Sequence, residues 1–200
     1  MKFSNILKAA AVGLLLACTA AAAQDAAAPA PAPAAGVGRP EVKTIGDWMV
    51  RCFPVTSPGP CDIYQELDDQ RTRQRVLSFS IAFIPSLNRH GIQITVPLEV
   101  AIQKGLTIVT DSYTSPVLKF RYCDRTGCFV QMPMDNGAIE AISKSGPDAK
   151  VRIFADNGKA YDLKFSLKGF AAAHDSMAEQ ARAKGKAATP AAPAAPPPAP

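Results

Sequence analysis

The chain has 200 residues, of which 48% are apolar, so one buried core is within reach even though alanine at both ends inflates the figure. Its formal charge of +5 is too mild to point to nucleic acid, and with only two histidines, no catalytic or metal-ligating constellation stands out. Cofactor, metal and catalytic assignments are therefore none.

Residues 1–23 have the three-part layout of a secretory signal: Lys2 and Lys8, the apolar run from Ala9 to Ala17, then small residues at Ala21, Ala22 and Ala23. The run is about half of the roughly 20 residues that a bilayer-spanning helix needs, and no later stretch is longer, so the mature chain is expected to carry no transmembrane span. Its expected address is periplasmic or secreted. Cleavage after Ala23 is favoured. In the alternative, Leu15-Leu16-Ala17-Cys18 resembles a lipoprotein processing box and would place a lipid anchor on Cys18. Residues 24–40 are almost entirely Ala, Pro and Gly, and residues 184–200 repeat that character. Such arms bury too little to offset the entropy of ordering, which predicts disordered, partly polyproline II spacers.

Between the arms, residues 41–183 read as one mainly β domain, antiparallel and sandwich-like, with a C-terminal helix. Candidate strands are Trp48 to Phe53, Ile63 to Leu67, Val76 to Ile84, Gly91 to Val96, Val100 to Gln103 and Leu106 to Asp111. Leu118, Phe120 and Tyr122 alternate with Lys119 and Arg121, and with Phe129 to Met132 they predict a hairpin around Asp124-Arg125-Thr126-Gly127. A short helical piece is expected at Ala138 to Ser143. Val151, Ile153 and Ala155 alternate, as do Tyr161, Leu163, Phe165 and Leu167, and Asp156-Asn157-Gly158 between them is the signature of a tight hairpin turn. Phe170 to Ala183 is alanine-rich and predicts a helix packed at the end or edge of a sheet.

Beyond Cys18, four cysteines in an exported chain read as structural disulfides. Of the three pairings, the local ones are favoured: Cys123 and Cys128 flank a four-residue turn, and Cys52 and Cys61 flank a Pro- and Gly-rich loop. A crossed pairing of the two sets stays open. Neither spacing is the C-x-x-C that lowers a thiol pKa at a helix start, and a zinc knuckle prefers tighter spacing, so redox and metal duties are disfavoured.

Gly46-Asp47-Trp48 with Val50 and Cys52, then Cys61 and Gln65, then Val96-Pro97-Leu98 with Gly105, then Cys123 and Gly127-Cys128-Phe129, and last Phe165-Ser166-Leu167-Lys168-Gly169-Phe170 occur in the order of the invasion-associated locus B family. Over residues 44–180 the chain resembles that family. The resemblance implies an exported bacterial protein with a compact β domain and supplies no catalytic residues. Glu99 stands where the family pattern leads one to expect a small or apolar residue. A fold fixes a scaffold and functions are carried by sites, so a role in host-cell invasion does not come with the family name.

Of the remaining residues, Arg71, Arg73 and Arg75 are spaced by two. In an extended segment they would share a face able to hold an anionic glycan, a lipid headgroup or a partner's acids, unless Glu66, Asp68 and Asp69 neutralise them. His90 and His174 read as surface or capping histidines, and Trp48 as a core anchor beside Cys52. The resulting expectation is a non-enzymatic envelope or secreted protein that binds an unknown protein, envelope glycan or lipid. The alternatives are a periplasmic hydrolase or redox enzyme, or a lipid-tethered form of the same module.

Overall fold

The computed structural model describes residues 39–54 and 57–188. The signal segment, Cys18, nearly all of the first arm and the last twelve residues lie outside the described residues. Period-two patterning is realised in β1 (Glu41–Ile45), β2 (Trp48–Cys52), β3 (Cys61–Asp68), β4 (Arg75–Ile84), β5 (Arg89–Val96), β6 (Thr107–Val109), β7 (Tyr122–Asp124), β8 (Gly127–Met134), β9 (Asp148–Phe154) and β10 (Ala160–Ser166). One antiparallel sheet has the order β1-β2-β3-β4-β5-β8-β7, and a smaller one the order β10-β9-β6. The first five strands are laid down as successive hairpins. The chain then departs to build β6 and returns as β7 and β8 on the far side of β5.

Alternate residues of the large sheet, Val50, Ile63, Phe79, Ile81 and Ile94 among them, point inward and are almost fully buried. Facing them are Val151 and Phe165 of the small sheet, α1 (Asn136–Ser143) and α2 (Phe170–Ala188). Phe170, Ala173, Met177 and Ala181 form the buried stripe of α2, and its small alanines let the helix lie close to β2 and β3. The Asp135 carboxylate accepts the Ala138 N–H at 2.8 Å and caps α1.

Trp48 is fully buried and meets Phe79, Phe165 and Phe170 edge-on, with centroids 5.2 to 6.4 Å away. Its indole N–H donates to Ser166 O at 3.0 Å. The buried Gln65 amide completes this junction between the layers: Nε2 donates to Asp47 O at 2.9 Å and Ser166 O at 3.1 Å, and Oε1 accepts Ser166 N–H at 3.0 Å. Two turns cross beside it. Gly46 (φ 60°) and Gly169 (φ 83°) are both left-handed, and a Cβ on either would fall 2.3 Å from Lys168 O or 2.6 Å from Ile45 O.

Both local cysteine pairings are present. Cys52 faces Cys61 across β2 and β3, and Cys123 faces Cys128 across β7 and β8, with Cα separations of 4.1 and 4.0 Å. Several expectations are corrected. Leu118 to Arg121 do not extend β7, because Leu118 bonds instead to Leu106 in an isolated bridge. Val100 to Gln103 supplies only one bridge and the start of a 3-10 turn, and the neighbouring strand shortens to β6. The Asp156-Asn157-Gly158 hairpin, by contrast, forms where expected, as a three-residue loop closed by Ala155 N–H to Lys159 O with Gly158 left-handed. Residues 184–188, assigned to the disordered tail, continue α2, which lies against Pro85 at Gly185 and ends two residues short of Pro190. Glu99, out of line with the family pattern, has φ 66°, a conformation that suits glycine.

Candidate functional site

The outward face of the large sheet divides into a charge-balanced half and a basic half. On β2 and β3 the Arg51 guanidinium binds the Asp62 carboxylate through two hydrogen bonds and lies 3.7 Å from the Tyr64 ring centroid. Ser80 donates to the same carboxylate, and the Tyr64 hydroxyl donates to Glu66. Burial, reinforced by Glu66, pushes the Tyr64 hydroxyl up to about 12. The acids of this half are thus already engaged.

At one end of the sheet the β3–β4 and β7–β8 turns come together, because the Arg75 guanidinium donates to Thr126 O at 3.0 Å. Residues 69–74 are not extended: Asp69 closes a tight turn and Arg73 is left-handed at φ 56°. Arg71, Arg73 and Arg75 therefore do not share a face through strand parity, which corrects that expectation. They lie on or beside the turn, and the Arg75–Thr126 bond brings the turn that carries Arg125 alongside it. The expected neutralisation is not made through direct ion pairs, although Asp69 and Asp124 stay ionised close by and Asp124 feels the Arg125 charge. The Asp69 carboxyl accepts the Thr72 amide and hydroxyl and the Arg71 amide, bonds that hold it below the usual carboxylate range. Asp124 is held low in the same way by the Thr126 hydroxyl and amide. Both acids serve as turn caps, and among the described residues Arg71, Arg73 and Arg125 make no ion pair.

At the opposite end of β8 the outward face sinks into an open trough of about 500 Å³. Its floor is made of small side chains, Ser80, Ala82, Gly91 and Pro133, and nothing lies within 4 Å of the place a Gly91 Cβ would take. Arg89 and Arg121 stand at its walls with Gln93 and Gln131, and no carboxylate lines it. Gln131 donates to Gln93 and accepts from Arg121, which holds the amides in place. β7 pairs with β8 only as far as Phe129, so the rest of β8 is sheet edge, and Pro133 in that stretch lacks a donor for another strand.

His90 and His174 are not independent surface residues. His90 is 5% exposed and its Nε2 lies 2.9 Å from that of His174. Sequence reasoning overlooked this pair, and it overlooked Arg89, Arg121 and Arg125. Only Arg125 carried a signal, its place at a hairpin tip between two cysteines.

Two antiparallel layers, two cross-strand disulfides and a C-terminal helix define a stapled β module. A sequence profile of the invasion-associated locus B (IalB) proteins matches residues 48–178. Two invasion protein B homologues of Brucella abortus, from strain 2308 and from biovar 1 strain 9-941, are each 30% identical over 134 residues, 66% of this chain and 76% of theirs. The crystal structure of invasion associated protein B from Bartonella henselae shares the fold at a TM-score of 0.61, with 18% identity, covering 71% of this chain and 99% of that one. The chain belongs to the invasion-associated locus B family.

Proposed function

We propose that this protein is an exported, non-enzymatic module of the bacterial envelope or its surroundings that binds an elongated anionic polymer along β8. The single observation that carries this reading is that Arg71, Arg73 and Arg125 make no direct ion pair among the described residues and keep their guanidinium donors open, while the oxygens of the neighbouring Asp69 and Asp124 are taken up by turn hydrogen bonds. Arg121, beside Phe129 and Gln131, continues the positive track part-way along β8, and Arg89 lies by its far end, roughly 23 Å from the start of the eight-residue strand. Arginine suits this task because its planar fork matches carboxylate and phosphate oxygens and keeps its charge at any physiological pH. Disulfide bonding of the four described cysteines suits an oxidising compartment and leaves those sulfurs no thiol for redox or nucleophilic work.

The experiment measures sedimentation of the mature protein with isolated envelope material over a salt series. Arg71→Glu with Arg125→Glu should weaken binding and flatten its salt dependence, and Arg89→Glu with Arg121→Glu should do so independently. Binding unchanged in both double variants would remove the basic track from the proposal.

A further inference from the structure

Two imidazoles separated by 84 positions meet where β5, α1 and α2 come together, and their hydrogen bonds dictate which nitrogens carry protons. Asn136 Nδ2 donates to Asn88 O at 3.2 Å, which turns its Oδ1 toward His90 Nδ1 at 3.0 Å. An amide oxygen only accepts, so His90 Nδ1 bears a hydrogen. On the other side His174 Nδ1 faces the Asp175 carboxylate at 3.2 Å, and the same reasoning puts a hydrogen there. Two neutral rings so arranged would oppose bare Nε2 lone pairs at 2.9 Å. One further proton turns that repulsion into an N–H···N bond of ordinary length. The ring centroids are 5.0 Å apart, so the two nitrogens meet nearly head-on. Two ligands converging on a tetrahedral zinc ion would instead stand roughly 3.3 Å apart and be angled toward it.

We propose that His90 and His174 share a single proton between their Nε2 atoms, forming a clasp between the large sheet and the C-terminal helix that opens when a second proton is taken up.

The surroundings oppose that second proton. Burial, then His174, then Arg182 hold His90 below the ordinary imidazole range, with only the Asn136 bond acting the other way. Arg182, from the same helix as His174, lies over the Phe83 ring, which itself packs against His90. On α1, Glu140 is committed to Lys144 and the capping Asp135 to the Ala138 amide. Arg89, next along β5, is exposed and lines the trough of the other face. Asp175 is the one carboxylate on the pair. A cavity of about 360 Å³ lined by both imidazoles, Asn136 and Asp175 gives water, and therefore protons, a way in. Because the folded value of His90 lies below its unfolded one, uptake of the second proton opens the clasp as the pH falls from about 6.5 through the folded value, whereas loss of the shared proton would leave the two lone pairs opposed.

The test is amide exchange of residues 170–176, corrected for intrinsic rates, from pH 8 to pH 5 in the full chain and in His174→Gln, which keeps a donor for His90 without a charge. In the wild type the opening equilibrium should rise by up to about tenfold per pH unit below pH 6.5, as release of one buried imidazole requires. In His174→Gln the rise should shrink. Nitrogen-15 spectra of the wild-type imidazoles should show hydrogen on Nδ1 of both rings and one proton shared across Nε2. Equal pH dependence in the two proteins, or spectra in which either Nδ1 is bare, would overturn the proposal.

Discussion

Replacing Gln65 tests the claim that the two layers are locked by one buried amide. In Gln65→Leu the Asp47 carbonyl and the Ser166 N–H lose their side-chain partner, whereas Ser166 O keeps the Trp48 indole N–H. A buried backbone group left without a partner costs about 1–3 kcal/mol. Two such groups, partly shielded from water, should cost about 3 kcal/mol out of a typical total of about 5–15. For a domain of this size that lowers Tm by about 6–12 °C. Gln65→Glu separates hydrogen bonding from volume. A carboxylate has no donor for Asp47 O and Ser166 O, so the folded chain must hold that acid protonated, raising its pKa above the ordinary value of about 4.3. The folded state then binds the proton more tightly than the unfolded one, so this variant should be most stable below pH 4.3 and weaken as the pH rises from there toward the folded value. Urea unfolding followed by fluorescence is the assay, because Trp48 is the only tryptophan and sits fully buried in the junction. If Gln65→Leu stays within about 0.5 kcal/mol of wild type, or Gln65→Glu shows no greater loss at pH 7.5 than at pH 4.5, the lock is not where the hydrogen bonds place it.

Gly169→Ala should cost about 2 kcal/mol or more in the same assay, since its left-handed φ and a Cβ at 2.6 Å from Ile45 O add together. Glu99→Gly should act in the opposite sense, raising stability by up to about 1 kcal/mol through relief of φ 66°. Paired Cys→Ala changes at Cys123 and Cys128 should cost about 2 kcal/mol, and those at Cys52 and Cys61 about 2.5, the larger loop constraining the unfolded chain more. Asp162→Asn should cost under about 1 kcal/mol at pH 7 despite bonds from Arg152 and Lys150, because the carboxylate is partly exposed. Those bonds hold its carboxyl below the usual range, so the small contribution is present above about pH 3.9 and disappears as the pH falls below that, which midpoints measured at several pH values would show.

Strand identity was legible where one face is buried and the other wet. Val151 and Ile153 against Lys150 and Arg152 is such a case, and β9 forms where the alternation says. The same pattern misled at Leu118 to Tyr122, because alternation reports which side chains are buried and not which backbone they pair with; Leu118 fills the core from a loop bonded to Leu106. Register across sequence-distant strands, such as β5 with β8, leaves no local trace at all. The arginines show the same limit. Spacing by two assumed an extended backbone, yet Asp69 accepts three bonds from the residues after it and bends the segment into a turn, and only then does Arg125 become a neighbour. His90 and His174 could not be joined from sequence, since nothing local in either segment marks β5 and α2 as neighbours.

The family's scattered motif residues now have a shared physical role. Gly46, Asp47, Trp48, Gln65, Ser166, Gly169 and Phe170 converge on the layer junction, and the four described cysteines staple two hairpins. None of the arginines proposed to bind an anionic polymer belongs to that set, so scaffold and binding should be separable by mutation. Arg71→Glu with Arg125→Glu should lose envelope binding while the Trp48 unfolding curve stays within about 0.5 kcal/mol of wild type, as exposed charges without ion pairs contribute little to folding. Gln65→Leu, assayed at a temperature where it remains folded, should bind like the wild type per folded molecule. Loss of binding in folded Gln65→Leu would mean that the layer junction shapes the binding surface directly, and the division of labour between motif residues and arginines would have to be abandoned.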